Sequence, residues 1–220
     1  CAVYGRPPRI PIDEGCPLDP ISPYGRTKAM VEHILADVAV AEDLRYASLR
    51  YFNAAGAVPD GEIGEDHEPE THLIPLVLRQ GLRAIHPDLL GDAPPLKVFG
   101  DDYDTPDGTC IRDYIHVLDL GRAHIRAVVH LADGGESLAL KLGNGRGFSV
   151  LEVIEACRRV TGCDIPYEVA DRRPGDAPRL VGQTEMAERT LGWSRQYADI
   201  DTIVETAWRW HREHPRGYAD

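Results

Sequence analysis

The chain passes from a helical segment that opens at Ser22 to an extended apolar segment at Arg45–Phe52, and this limits its possible folds more than any other feature. Ser22 suits an N-cap and Pro23 suits the first helical position. Met30, Val31, Ile34, Leu35 and Val38 then recur at helical spacing. The segment from Arg45 reads as a strand leading to Asn53 and a turn at Ala54-Ala55-Gly56-Ala57. A helix feeding a strand in this way predicts an α/β fold with a parallel sheet. Ligand-binding residues of such sheets gather at the carboxyl ends of strands, where Tyr51, Phe52 and Asn53 fall.

The flanking segments extend the pattern. Cys1–Gly5 reads as the end of a buried strand, and six prolines from Pro7 to Pro23 predict an irregular loop. Residues 60–71 are acidic and loop-like, and an apolar helix is expected from Leu73 to about Arg83. His86–Pro95 reads as a second loop. Leu96–Gly100 and Cys110–Ile115 read as strands around a polar turn holding Asp101, Asp102, Asp104 and Asp107. The spacing of those aspartates does not fit a calcium loop, so they are expected to be solvated. A helix over His116–Leu131 and a strand at Leu138–Leu142 follow. A capping box at Ser149 and Glu152 then opens a further helix that stops near Gly162. Ile165–Val169 reads as a strand, and two helices, near Thr184–Leu191 and Ile200–Glu213, close the chain.

A chain of 220 residues is long enough to bury a sizeable core. Its net charge of −12 argues against nucleic acid and anionic membrane as partners. No apolar run is long enough for a membrane helix, and no signal peptide is evident. Five cysteines without a C-x-x-C pair suit reduced thiols in a cytoplasm, so no structural zinc, and no metal of any kind, is expected.

Tyr24 and Lys28 are four residues apart and share a helix face. A free phenol titrates near pH ~10, so a tyrosine acting as a base near neutrality needs its phenolate favoured by about 4 kcal/mol. An ammonium one turn away supplies part of that. A surface Tyr and Lys on an ordinary amphipathic helix is the alternative reading of this pair alone.

Further motifs narrow the choice. Ser22-Pro23-Tyr24-Gly25-Arg26-Thr27-Lys28, Leu49–Asn53, His72-Leu73-Ile74-Pro75, Phe99-Gly100, Arg112-Asp113-Tyr114-Ile115-His116-Val117 and Arg172-Arg173-Pro174-Gly175-Asp176 occur in this order. In order and spacing the series resembles the UDP-glucose 4-epimerases, which are extended short-chain dehydrogenase/reductases. The resemblance runs the length of the chain, to His214-Pro215-Arg216-Gly217-Tyr218.

The resemblance implies a truncated Rossmann-type doubly wound parallel sheet with a smaller mixed α/β substrate domain. Residues 1–57 and 116–148 would belong to the NAD-binding unit, and 58–115 and 149–220 to the UDP-sugar unit. Tyr24 and Lys28 would be catalytic and would, with Tyr51 and Phe52, meet the nicotinamide end of NAD. Asn53, His72, Leu73, Lys97, Phe99, Arg112, Tyr114, Arg173, Asp176 and Leu180 would contact a UDP-hexose. Within this set Lys97 and Phe99 mark a strand whose backbone reads uracil, Arg112 and Arg173 clamp the diphosphate, and Asp176 holds the ribose. Tyr114 has packing as its alternative role. Leu180 stands at a gate beside the hexose, where a small side chain leaves room for N-acetylated sugars.

One feature departs from the family: no glycine-rich dinucleotide turn occurs near residue 1. The expectation is a later portion of an epimerase, beginning just after the catalytic Ser or Thr and inactive without the preceding part. A homodimer paired through the Tyr24 helix is also expected. The alternatives are a non-catalytic UDP-sugar-binding module and another sugar-nucleotide epimerase or dehydratase of the same superfamily.

Overall fold

The computed structural model describes residues 1–90 and 94–219, so part of the loop expected at His86–Pro95 lies outside the described residues. Helix α1, Pro23–Glu42, starts where the cap requires: Ser22 Oγ accepts from the Gly25 N–H at 3.1 Å. It ends on Asp43 in the left-handed region, φ +49°. Strand β1, Ala47–Tyr51, and strand β2, Asn53–Ala55, follow almost without a break. The turn expected at Ala54 therefore begins later, because Asn53–Ala55 pair in parallel with the strand carrying Tyr114–His116.

Helix α2, Leu73–Ile85, and the one-turn α3, Pro87–Leu90, lead to strand β3, Leu96–Phe99, and strand β4, Ile111–His116. Helix α4, Val117–Ala132, runs directly from β4, with His116 Nδ1 accepting from the Leu118 N–H as the cap. Strand β5, Leu138–Leu142, and the short β6, Gly147–Ser149, precede helix α5, Val150–Thr161. The Ser149–Glu152 capping box is formed in both directions, and α5 stops at Gly162, φ +70°. Strands β7, Tyr167–Ala170, and β8, Arg179–Leu180, then helices α6, Glu185–Leu191, and α7, Ile200–Glu213, complete the order.

The fold is α/β, and among the described residues it has two parallel strand pairs and one mixed sheet. Strand β1 pairs with β5, β3 with β7, and β4 is flanked by β2, β6 and β8, with only β6 antiparallel. The largest core lies among α2, α5, α7, β3 and β4, where Ile74, Val77, Leu78, Ile154, Ile203 and Trp208 pack together. A second core joins β5 and α4 to Ala187, Leu191 and Trp193. Ala187, Leu191 and Trp193, grouped by sequence with residues 149–220, thus pack against β5 and α4. Trp193 Nε1 anchors them by donating to the Asp119 carbonyl at 2.9 Å.

Within Cys1–Gly5 only Val3 and Tyr4 are buried, and the form is not the strand expected. Ala2–Tyr4 make a 3₁₀ turn, and Val3 and Tyr4 pack with Ile12, Cys16 and Ala29. An extended segment needs a neighbouring strand for its N–H and C=O groups. Here the Tyr4 and Gly5 N–H groups bond locally, to the carbonyls of Cys1 and Ala2. In the acidic turn Asp101, Asp102 and Asp104 are exposed, as a solvated loop requires, and Asp107 alone departs from it. Asp107 accepts from the Thr109 N–H at 2.9 Å and from Ser149 Oγ, tying the turn to the start of α5.

Candidate active site

Tyr24 stands in the first turn of α1 with 65% of its surface exposed. Lys28 follows one turn later and holds Nζ 5.3 Å from the Tyr24 ring centroid. Both line a cavity of about 300 Å³ between α1 and β1, whose wall also includes Cys1, Arg50 and Tyr51. The structure therefore gathers Tyr24, Lys28 and Tyr51 around one opening. An ammonium, a phenol and an aromatic wall can together bond a polyol and take up a proton.

The wall of this cavity is fixed from behind by charge pairs. Arg50 grips the Glu32 carboxylate, with one bond at 2.9 Å, and donates to the buried Tyr4 hydroxyl at 2.7 Å. Beside it Lys141, fully buried on β5, stands 2.9 Å from Glu14, while burial pushes its ammonium pKa down. Phe52 points away from the Tyr24 cavity and packs, with Leu180, against the Tyr4 cluster. Gly182 is obligatory there, since a Cβ would collide with the Phe52 ring.

A second constellation lies where β4 meets β8. Leu180 is the parallel partner of Arg112. The Arg112 guanidinium donates to the Ala177 carbonyl at 2.8 Å and reaches the Asp176 carboxylate at 3.3 Å. Arg173 sits over the Phe99 ring, 3.9 Å from its centroid. Lys97 is exposed on β3, and among the described residues that strand is paired along one edge only, with β7. Its other edge can offer backbone groups to a planar base. A cavity of about 670 Å³ opens at the carboxyl ends of β3 and β7. Asp101, Asp102 and Asp171 line it together with Arg172, which pairs with Asp102, so its wall carries both signs of charge with the acidic one in excess.

The remaining expected residues sit elsewhere. Asn53 Nδ2 donates to the Asp113 carbonyl at 2.9 Å and so stitches β2 to β4. Tyr114 is 5% exposed within the main core, the packing alternative, and burial pushes its phenol pKa well above the ordinary value. Leu73 is the first residue of α2 and leans on the same core. His72 is the N-cap residue of α2 without a side-chain cap; its ring is turned to Glu65, Glu70 and His67.

Asp113 is the polar hub that the residue pattern did not single out. Its fully buried carboxylate accepts from the N–H groups of Asn144 at 2.6 Å, Gly145 at 3.2 Å and Gly182 at 3.3 Å. Desolvation outweighs these bonds and pushes its pKa up to about 6. The partners are 31 to 69 residues distant, so no local signal announces the hub.

Comparison with known proteins adds the family context. A family model described as "NAD dependent epimerase/dehydratase family" matches residues 1–143. The chain is 52% identical, over 99% of its length, to a UDP-glucose 4-epimerase of Halalkalibacterium halodurans, covering 63% of that protein. It is similar to the crystal structure of UDP-glucose 4-epimerase from Brucella ovis in complex with NAD, with TM-score 0.87 and 52% identity over 94% of this chain and 62% of that one. The enzyme from Bifidobacterium longum in complex with NAD⁺ and UDP gives a TM-score of 0.90 at 39% identity, over 99% of this chain and 63% of that one. The chain thus spans less than two thirds of the length of the relatives it matches.

Proposed function

The chain belongs to the NAD dependent epimerase/dehydratase family, and from that premise we propose that the protein interconverts UDP-glucose and UDP-galactose by NAD-dependent oxidation and re-reduction at C4 of the hexose. The observation that carries this reading is the convergence of Tyr24 and Lys28 on one cavity with Tyr51 at the end of β1. The cavity suits the nicotinamide-ribose end of the dinucleotide: Lys28 can bond ribose hydroxyls and Tyr51 gives an aromatic wall. When bound, NAD⁺ supplies the hydride acceptor. The chain itself moves the proton. Tyr24 Oη takes it from the 4-hydroxyl and returns it after the sugar has presented its other face. Lys28 puts positive charge beside the oxygen that must carry negative charge.

The β4–β8 constellation is the binding half of this proposal. Arg112 and Arg173 hold the diphosphate, for which planar guanidinium groups are well shaped. Asp176, already beside Arg112, takes the ribose hydroxyls. The free edge of β3 near Lys97 and Phe99 reads the uracil, and Asn53 and Leu73 border the sugar nucleotide. Phe52 reaches the cofactor end only through its packing with the Tyr4 cluster. Leu180 leaves room beside the hexose, so N-acetylated hexosamine nucleotides are accepted too; Leu180→Tyr is expected to lower turnover of acetylated substrate selectively.

Two copies pair through the exposed apolar stripe of α1, formed by Met30, Ile34 and Val38. Five unpaired thiols suit a reducing cytoplasm. The test is an assay of the purified full-length protein with UDP-galactose, together with its absorbance spectrum. Formation of UDP-glucose with NAD retained supports the proposal. UDP-sugar binding with neither dinucleotide nor turnover would make the protein a binding module instead.

A further inference from the structure

We propose that Glu65, His67, Glu70 and His72 form a binding site for a divalent transition-metal ion of the zinc class. The four residues lie in the loop before α2 and at its N-cap, and each brings one ligand-type atom within 4.8 Å of all the others. Both imidazoles present Nδ1 to the same carboxylates. His67 Nδ1 is 3.1 Å from Glu65 Oε1 and 3.8 Å from Glu70 Oε1. His72 Nδ1 is 3.6 Å from Glu70 Oε1 and closer still to Glu65. Tetrahedral ligands at about 2.0–2.1 Å from a zinc ion stand roughly 3.3 Å apart, close to these separations.

Glu70 distinguishes the cluster from a chance meeting of polar side chains. Its side chain is 1% exposed. Oε1 faces the two imidazoles and accepts from the Thr71 and His72 N–H groups at 2.7 and 2.8 Å, while Oε2 has no hydrogen-bond partner. A buried carboxylate with an unused oxygen needs a compensating charge or donor, and among the described residues that oxygen meets none. The rings of His67 and His72 are more than half exposed, so each Nε2–H can face water while Nδ1 ligates. Two imidazoles with two carboxylates favour a transition ion over calcium or magnesium, which take oxygen ligands.

The ligand loop is already braced. Arg79 of α2 donates to the His67 carbonyl at 3.4 Å, and the Tyr218 N–H donates to the Asp66 carboxylate at 3.1 Å. A bound ion would staple the loop to the start of α2. The sequence trace is the spacing E-x-H-x-x-E-x-H over 65–72.

The experiment strips the purified protein with a chelator and titrates it with Zn²⁺ alone, by calorimetry and metal analysis, and then with Co²⁺ for its visible absorption. The proposal expects one Zn²⁺ per chain, a tetrahedral-type Co²⁺ band and a raised unfolding temperature. In the double variant H67A/H72A, and separately in Glu70→Gln, affinity should fall at least about 100-fold. A wild-type protein that retains no Zn²⁺ would overturn the proposal, as would equal Zn²⁺ affinity in wild type and the folded double variant.

Discussion

Helix α1 and helix α2 are both rich in apolar residues, yet the chain treats them in opposite ways. Along α2, Ile74, Val77, Leu78 and Leu82 are buried against α5 and α7. Along α1, only Gly25 and Ala29 are buried, and Met30, Val31 and Ile34 are each more than half exposed. A fully buried aliphatic side chain contributes about 1.5–3 kcal/mol relative to an exposed one. The stability of this chain is therefore concentrated in the half that holds α2, α5 and α7. The proposed proton-transfer pair stands on the other helix, whose apolar stripe is open to a partner surface. Chemistry and core are thus separated, which makes each open to test without the other.

The largest contrast comes from paired truncations. Leu78→Ala should cost about 2–5 kcal/mol in urea unfolding, whereas Ile34→Ala should change the stability of the single chain by no more than about 0.5 kcal/mol. An Ile34→Ala loss that grows on dilution would show that α1 is covered by a second copy in solution. Next in size is Asp113→Ala, which strands the buried N–H groups of Asn144 and Gly182 and the part-buried one of Gly145 and should cost about 1–3 kcal/mol by the same measurement.

The contrast also extends to pH. His116 and His211 both pack in the α7 half, and burial pushes each imidazole down to about 4. The folded state then binds these protons more weakly than the unfolded state, whose imidazoles titrate near 6.5. Their stabilisation is complete above that value and is lost as pH falls through about 4. Asp113 acts in the opposite sense, since its pKa is raised to about 6; its contribution weakens as pH rises from its ordinary range to that value. Two groups outweigh one, so urea midpoints should fall between pH 6.5 and 4, by at most about 1.4 kcal/mol per pH unit for each net proton. Unchanged midpoints in that window would contradict the burial of both imidazoles. The smallest effect is expected at Lys97. If the β3 backbone reads the base, Lys97→Ala should alter KM for the UDP-hexose by no more than about twofold, equivalent to about 0.5 kcal/mol.

The sequence was most informative where a few neighbouring residues decide the outcome. The Ser22 cap, the Ser149–Glu152 box and the α7 boundaries are local, and the structure has them as read. The α/β class was legible from the alternation of periodicities. What escaped depends on distant partners. Ala2–Tyr4 turn instead of extending, with the Tyr4 and Gly5 N–H groups closing locally. Strands β6 and β8 exist only because β4 lies between them. In the site, the Tyr24–Lys28 pair follows from helical spacing alone. The meeting of Arg112 with Asp176, and of Arg173 with Phe99, needed the chain to bring positions about 65 to 75 residues apart together. The His72 ring was legible as a helix start, but its carboxylate neighbours were not, because the intervening loop has no period that fixes which side chains converge.

The central claim is that the Tyr24 phenol moves the substrate proton while contributing nothing essential to the fold. The direct measurement is kcat for Tyr24→Phe in the full-length protein holding NAD, alongside its unfolding midpoint. The account predicts a fall in kcat of about 10²–10⁴-fold, with NAD retained and the midpoint unchanged. Turnover of UDP-galactose at the wild-type rate in that variant would contradict it.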